Sequence, residues 1–385
     1  MIKQALARRL SHVQEYYFSK KLREVAQLRQ AGHPVLNMGI GSPDLAPHPQ
    51  VIEALQSSLT QEHAHQYQSY QGLPELRQAA ADFYHTHYGV SLDPNREILP
   101  LMGSKEGIMH LSMALLNPGD RVLIPNPGYP TYASVTKIVE ASPEFYALQE
   151  GNQWQPDFEA LQAMDTSGVK LMWVNYPHMP TGTAQRSETF ERLVQWTAER
   201  KIVLVNDNPY SFILNDRPQS ILDHQDLQPH VLELNSLSKS SNMAGWRVGF
   251  ICGSSELIQA VLKVKSNMDS GMFFGLQKGA IEALKLGSDW YDQLNLTYNK
   301  RRAKIWELAD LLDLSYDPKA VGMFVWAKLH KGHPSAEKFI DNLLYQHHIF
   351  ITPGTIFGSE GTGYVRFSLC VSEAIIQEAI NRLKP

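Results

Sequence analysis

A lysine, an aspartate, a tyrosine and an arginine stand out in this chain, because each closes or flanks a short apolar run. Lys239 lies in "NSLSKSSNMAGWRVGF", Asp207 and Tyr210 in "KIVLVNDNPY", and Arg366 in "GYVRFSL". A lysine set among small hydroxyl residues can shift its pKa and act as an amine nucleophile or proton carrier. A carboxylate and a phenol can each hold or give a proton, and a planar guanidinium grips a carboxylate through two parallel bonds. Singly, each has an ordinary explanation: an aspartate at a strand end is usually a turn or cap residue, and a lone lysine a solvated surface group. Their placement makes them a set. Reading the carboxyl ends of the apolar runs also gives Tyr129 after "RVLIPNPG" and the turn "NYPHMPTG" (175–182) after "KLMWV". Functional groups in open α/β sheets gather at those ends.

The elements that must position these groups are legible as well. The runs "RVLIPNP", "KLMWVNYP", "KIVLVNDNPY", "HVLELNS" and "RVGFICG" are short, lack polar alternation and are bounded by Pro, Asn or Gly. That pattern predicts buried parallel strands joined by helical crossovers. "GSKEGIMHLSMALLNPGD" predicts a helix with a serine cap at Ser104, and "SETFERLVQWTAERK" one capped by Ser187. A long charged helix, "YNKRRAKIWELADLL", then gives way to alternating α and β patterns. The expected fold class is α/β. A large, mostly parallel sheet domain with helices on both faces should span 46–285, and a smaller α+β domain 286–385. The N-terminal segment 1–45 should pack against the latter.

Composition narrows the partners. The chain has 385 residues, 43% hydrophobic and 19% charged, with a formal net charge of -4. No basic block offers a footprint for nucleic acid, and no apolar run approaches the roughly 18 residues that a membrane span needs. Two cysteines, Cys252 and Cys370, make no disulfide framework, and the start "MIKQALARRLSHVQEYYF" lacks the apolar core of a signal peptide. A soluble, cytoplasmic protein is expected. The pairs "HAH" (63–65) and "HTH" (85–87) read as surface or packing residues, since positions two apart face different sides of a helix. No metal site is expected.

Nine segments, in order, resemble the class I/II aminotransferases, which are fold-type I pyridoxal-phosphate enzymes. They are "NMGIGSPD", "YQGLPELR", "GSKEGI", "NPGYPTY", "NYPHMPTG", "NDNPY", the lysine segment, "PGTIFG" and "GYVRFSL". "KSNMDSGMFFGLQ" is similar to the LL-diaminopimelate and alanine aminotransferase branch. The resemblance implies pyridoxal 5'-phosphate as cofactor and ping-pong exchange of an amino group between an amino acid and a 2-oxo acid. It makes Lys239 the residue that carries the cofactor and shuttles the α-proton. Asp207 becomes the partner of the ring nitrogen, Tyr210 the donor to the ring oxygen and Tyr129 the stacking aromatic. Gly103, Ser104 and Lys105 would offer backbone amides to the phosphate, with the Lys105 side chain in solvent. Ser236, Ser238 and Arg247 would add side-chain donors. Tyr67, five residues before Gly72, matches the tyrosine that reaches the neighbouring subunit's phosphate, which implies a homodimer with shared active sites. Arg366 matches the clamp on the substrate carboxylate and Gly41 a backbone contact opposite it. Tyr16, Tyr17 and Phe18 are candidates for the substrate entrance.

One position departs from the pattern. Most relatives carry Asn before the Pro of "NPTG", where its amide serves the cofactor's ring oxygen and the substrate. Here Met179 stands, and a thioether donates nothing. Asn175 could take over the role, His178 could donate, or Tyr210 could serve alone with Met179 as a soft apolar wall. The rival activity is a lyase of the β-elimination type on the same scaffold, since the cofactor carries the chemistry and the site decides which bond breaks.

Overall fold

The computed structural model describes residues 7–12, 15, 17–223 and 228–384. After a helix at Tyr17–Gln30, the chain enters a two-residue strand, β1 (Leu36–Asn37). Seven strands follow: β2 (Ile98–Leu101), β3 (Arg121–Asn126), β4 (Ser142–Ala147), β5 (Val169–Val174), β6 (Val203–Asp207), β7 (Val231–Ser236) and β8 (Gly249–Gly253). They form one sheet in the order β2-β8-β7-β6-β5-β3-β4. Because side chains alternate along a strand, the apolar runs feed two layers. Leu123, Met172 and Leu204 join the core on one face, and Val122, Leu171 and Val205 that on the other. Helices cover both faces, so these strands have no polar side to show.

The strands from β4 to β7 are parallel, but β8 runs antiparallel to both β7 and β2. This corrects the expectation that "RVGFICG" is another parallel strand. The reason is local. The link from Ser236 to Gly249 holds only a four-residue helix and a short 3-10 turn, too little for a helical crossover. The chain instead turns back at the sheet's carboxyl edge, and Lys239 and Arg247 both lie on that return. Two strands, β2 and β4, fell outside the expected set: "ILPL" is brief, and β4 is an exposed edge with little apolar content. Both helix caps also differ from expectation. Each helix starts at its serine, Ser104 or Ser187, after Gly103 or Arg186, and neither start has a side-chain cap.

The C-terminal part holds an antiparallel sheet, β12-β13-β10-β9, formed by β9 (Leu314–Tyr316), β10 (Phe324–Leu329), β12 (Thr352–Pro353) and β13 (Tyr364–Ser368). Between β10 and β12, β11 (Ile349–Phe350) pairs in parallel with β1, which ties the N-terminal segment to this part. A 24-residue helix, Ser288–Leu311, adds a second tie. Arg301, buried on it, donates to both oxygens of Asp44 at 2.6 and 2.9 Å and to the Leu369 carbonyl at 3.0 Å. A bidentate pair of this kind fixes geometry as well as charge. It anchors the "GSPD" stretch, and with it Gly41. Among the described residues no helix is long and apolar enough to cross a membrane.

Candidate active site

The carboxyl ends of β3, β5, β6 and β7 open on one cavity of about 560 Å³, within the usual range for cofactor and ligand sites. Since β8 runs the opposite way, its beginning reaches the same edge and brings Arg247 with it. Of the residues singled out in the sequence, Gly41, Ser104, Lys105, Tyr129, Asn175 and Met179 line this cavity. So do Asp207, Tyr210, Ser236, Ser238, Lys239, Arg247 and Arg366. Tyr67 does not. It is 90% exposed and lies in a separate surface depression with Met272 and Phe273.

One end of the cavity is built for an anion. Gly103 caps the helix Ser104–Leu115 at φ 88°, a left-handed conformation open to glycine, and leaves the first helical N–H groups without a side-chain cap. A Cβ on Gly103 would meet Arg247 Nη2 at 2.1 Å, so only glycine lets the guanidinium lie against the helix start. Arg247 donates to Ser238 Oγ at 3.3 Å and to the Ala244 carbonyl at 3.0 Å. Helix-start amides, a helix dipole and a guanidinium at one spot make a phosphate cradle. Lys105 lies at the same end, and partial burial, with Arg247 near it, lowers its pKa.

Asp207 forms the floor. Tyr132 donates to its Oδ2 at 2.8 Å, while Oδ1 is buried with no hydrogen-bond partner. Burial pushes the Asp207 carboxyl up to about 6, the Tyr132 bond opposes this, and the nearby Glu233 adds to it. A buried acceptor without a donor is costly, so this oxygen suits a ligand N–H such as that of a protonated pyridine ring. Tyr132 was not among the expected site residues. Its signal was its place three residues after Tyr129, one helical turn along "GYPTY".

The Asp207 titration carries a pH prediction for the cofactor-free protein. A carboxyl whose pKa rises on folding contributes stability that is present below its unfolded value, near 4. That contribution is lost as pH climbs through the folded value near 6. Between pH 4 and 6.5, wild type should therefore lose about 2 kcal/mol relative to Asp207→Asn. Urea unfolding of both proteins at the two pH values measures the difference, and parallel curves would refute this assignment.

Lys239 lies in the short helix that follows β7, and its Nζ donates to the Gly41 carbonyl at 2.5 Å. Burial pushes its pKa down. Cys370 opposes that shift, and Arg366 and Arg247 add to it. An amine with a depressed pKa is a better nucleophile and proton acceptor near neutral pH. Arg366, on β13, is buried with its guanidinium carbon 3.9 Å from the centre of the Phe324 ring and 4.6 Å from that of Phe357. Its Nη2 donates to the Gly39 carbonyl at 3.0 Å and its Nη1 to Met179 Sδ at 3.2 Å. Gly41 must be glycine, since a Cβ there would strike the Phe324 ring at 2.4 Å. Burial raises the pKa of Tyr210 far above its ordinary value, with Arg366 opposing. Its ring meets Phe324 edge to face at 5.8 Å.

The Met179 turn has a definite arrangement. Asn175 uses both ends of its amide within the protein: Nδ2 donates to the Asp207 carbonyl at 2.5 Å, and Oδ1 accepts the Met179 N–H at 3.0 Å. His178 is turned out of the cavity, with Nδ1 2.8 Å from the Thr181 hydroxyl. Burial lowers the pKa of His178 to about 3, with the Pro127 carbonyl opposing. Of the aromatics expected at the entrance, Tyr16 and the side chain of Phe18 lie outside the described residues. The helix Tyr17–Gln30 lines the cavity with Ser19 and Leu22.

An anion cradle, a lone buried carboxylate oxygen, a pKa-depressed lysine and a buried guanidinium fit pyridoxal phosphate together with an amino acid. The comparisons with known proteins agree. The family model "Aminotransferase class I and II" matches residues 33–383. An LL-diaminopimelate aminotransferase of Nitratidesulfovibrio vulgaris is 35% identical over 381 residues, covering 98% of each chain. The apo structure of BacF from Bacillus subtilis superposes with a TM-score of 0.93 at 33% identity, over 98% of this chain and 97% of that one. An aminotransferase from Staphylococcus aureus does so with a TM-score of 0.89 at 30% identity, over 98% of each chain. The chain therefore belongs to the class I and II aminotransferases. It is a pyridoxal-phosphate-dependent enzyme of the fold-type I class that transfers an amino group between amino acids and 2-oxo acids.

Proposed function

We propose that this cavity is the site of a ping-pong transamination, with Lys239 as the covalent holder of the cofactor and the carrier of the substrate's α-proton. The observation that carries the reading is Asp207 Oδ1, buried without a donor in the cavity where Lys239 and Arg366 also lie. When bound, pyridoxal phosphate supplies the electron sink that lets an amino acid lose its α-proton. Asp207 holds the proton on the ring nitrogen. Tyr129 covers the ring, and Tyr210 serves its oxygen with Met179 as an apolar neighbour. Support for that last choice is that Asn175 is committed elsewhere and His178 faces away. The amides of Ser104 and Lys105, after Gly103, hold the phosphate with Ser236, Ser238 and Arg247. Arg366 holds the substrate carboxylate, and Gly41 keeps the lysine oriented from the opposite wall.

The working unit in this reading is a homodimer in which Tyr67 completes the partner's phosphate site. Its support is an exposed phenol that shares a surface depression with a second exposed aromatic, Phe273. Such a patch on a soluble chain marks an interaction surface. The division near residues 45 and 285 belongs to the same proposal, supported by Val25 and Val35 packing with Leu344 and Phe350. A cytoplasmic setting is supported by two buried, unpaired cysteines. Light scattering should give twice the chain mass of 43.5 kDa. Tyr67→Phe should weaken cofactor binding about 10-fold, the loss of one hydrogen bond to a charged group. A fully active monomer would refute the shared site.

A further inference from the structure

We infer that the specific amino acid of this enzyme has an apolar side chain, aliphatic or aromatic, selected by Leu22, Ile40, Met179, Phe324 and Phe357. The inference rests on the proposed site, because it starts from a carboxylate held by Arg366. The charged groups that line the cavity are Lys105, Asp207, Lys239, Arg247 and Arg366. Arg247 belongs to the anion cradle, Lys105 is exposed at the helix start beside it, Asp207 is bound by Tyr132 on the floor, and Lys239 is held by Gly41. Arg366 is the carboxylate clamp. Among the described lining residues, none of the apolar side chains named here brings a second charge to the substrate.

What surrounds Arg366 is apolar. Phe324 and Phe357 lie against its guanidinium, and Met179 contributes a thioether at 3.2 Å. Phe324 is held by its edge-to-face contact with Tyr210 and by the close approach of Gly41, so the wall does not depend on a mobile side chain. Leu22 and Ile40 bring further apolar surface from the N-terminal segment, which Arg301 and Asp44 pin in place. A leucine- or phenylalanine-sized side chain buried here should be favoured over alanine by roughly 10- to 100-fold. A distal carboxylate or ammonium would meet no opposite charge on this apolar wall. LL-diaminopimelate, for which relatives at 35% identity are named, carries both at its far end. Sharing a fold and a carboxylate clamp does not carry specificity with it.

Stopped-flow decay of the holoenzyme's visible absorbance, with no acceptor present, measures each donor's second-order rate. Leucine, methionine and phenylalanine should exceed alanine, glutamate and LL-diaminopimelate by at least about 10-fold. Leu22→Arg, at a position 38% exposed and so tolerant of a longer side chain, should raise the rate for glutamate relative to phenylalanine. A binding readout independent of turnover is the melting temperature of the holoenzyme. 3-Phenylpropanoate should raise it more than glutarate does. Glutamate or LL-diaminopimelate matching the apolar donors would overturn the inference while leaving the site intact. Loss of absorbance with no donor at all would overturn the site reading and this inference together.

Discussion

Lys239→Ala is expected to lose transamination by about 10³-fold or more, because one side chain is proposed to serve as covalent anchor and proton carrier. Positioned general acid–base groups alone are worth roughly 10²–10⁴-fold. The variant should still bind pyridoxal phosphate, since the cradle of Ser238 and Arg247 and the open oxygen of Asp207 are untouched. It should release the cofactor on gel filtration, where wild type keeps it. A small primary amine added to the medium should restore part of the rate by supplying a base in the emptied space. Lys239→Arg separates chemistry from packing: it can still donate to the Gly41 carbonyl yet should be nearly as inactive. Activity within 10-fold of wild type in either variant would remove the lysine from the reaction.

Arg366→Lys is expected to raise KM for amino acids about 100-fold, with a smaller fall in kcat. Arg366 is buried, lies against two phenylalanine rings and already bonds Gly39 and Met179. A lysine ammonium is a strongly hydrated point charge that cannot give two parallel bonds to a carboxylate. Losing one charge-assisted bond of about 1.5–3 kcal/mol accounts for roughly 10- to 100-fold. The diagnostic comparison uses a donor amine with the same side chain and no carboxylate. The substitution should leave that poor substrate almost unchanged, which closes the gap between the two. Equal losses for both donors would mean that the arginine supports the fold rather than the substrate.

Much of this site was legible because its chemistry sits where strands end. Apolar runs marked β3, β5, β6 and β7, and the residues after them converge because parallel strands present their carboxyl ends on one edge. The direction of β8 was not legible. An apolar run has the same composition whichever way it points, and only the brevity of the Lys239 link forces the return. Phe324 and Phe357 carry no local signal, as a phenylalanine in a strand or turn reads as core until its neighbours are known. The Asp44–Arg301 pair joins positions 257 residues apart. Long-range geometry bears on the Met179 turn too. Asn175 looked available in the sequence, but β6 lies beside β5, and the Asp207 carbonyl and the Met179 N–H take both ends of its amide.

The most direct test of the account is stoichiometry in a single half-reaction. Holoenzyme mixed with leucine or phenylalanine, without an acceptor, should form one 2-oxo acid per bound cofactor, lose its visible absorbance and release no ammonia. A 2-oxo acid added afterwards should restore the absorbance and return an amino acid. Continuous release of ammonia from one charge of donor, without loss of the absorbance, would contradict the account and mark the cavity as that of a lyase.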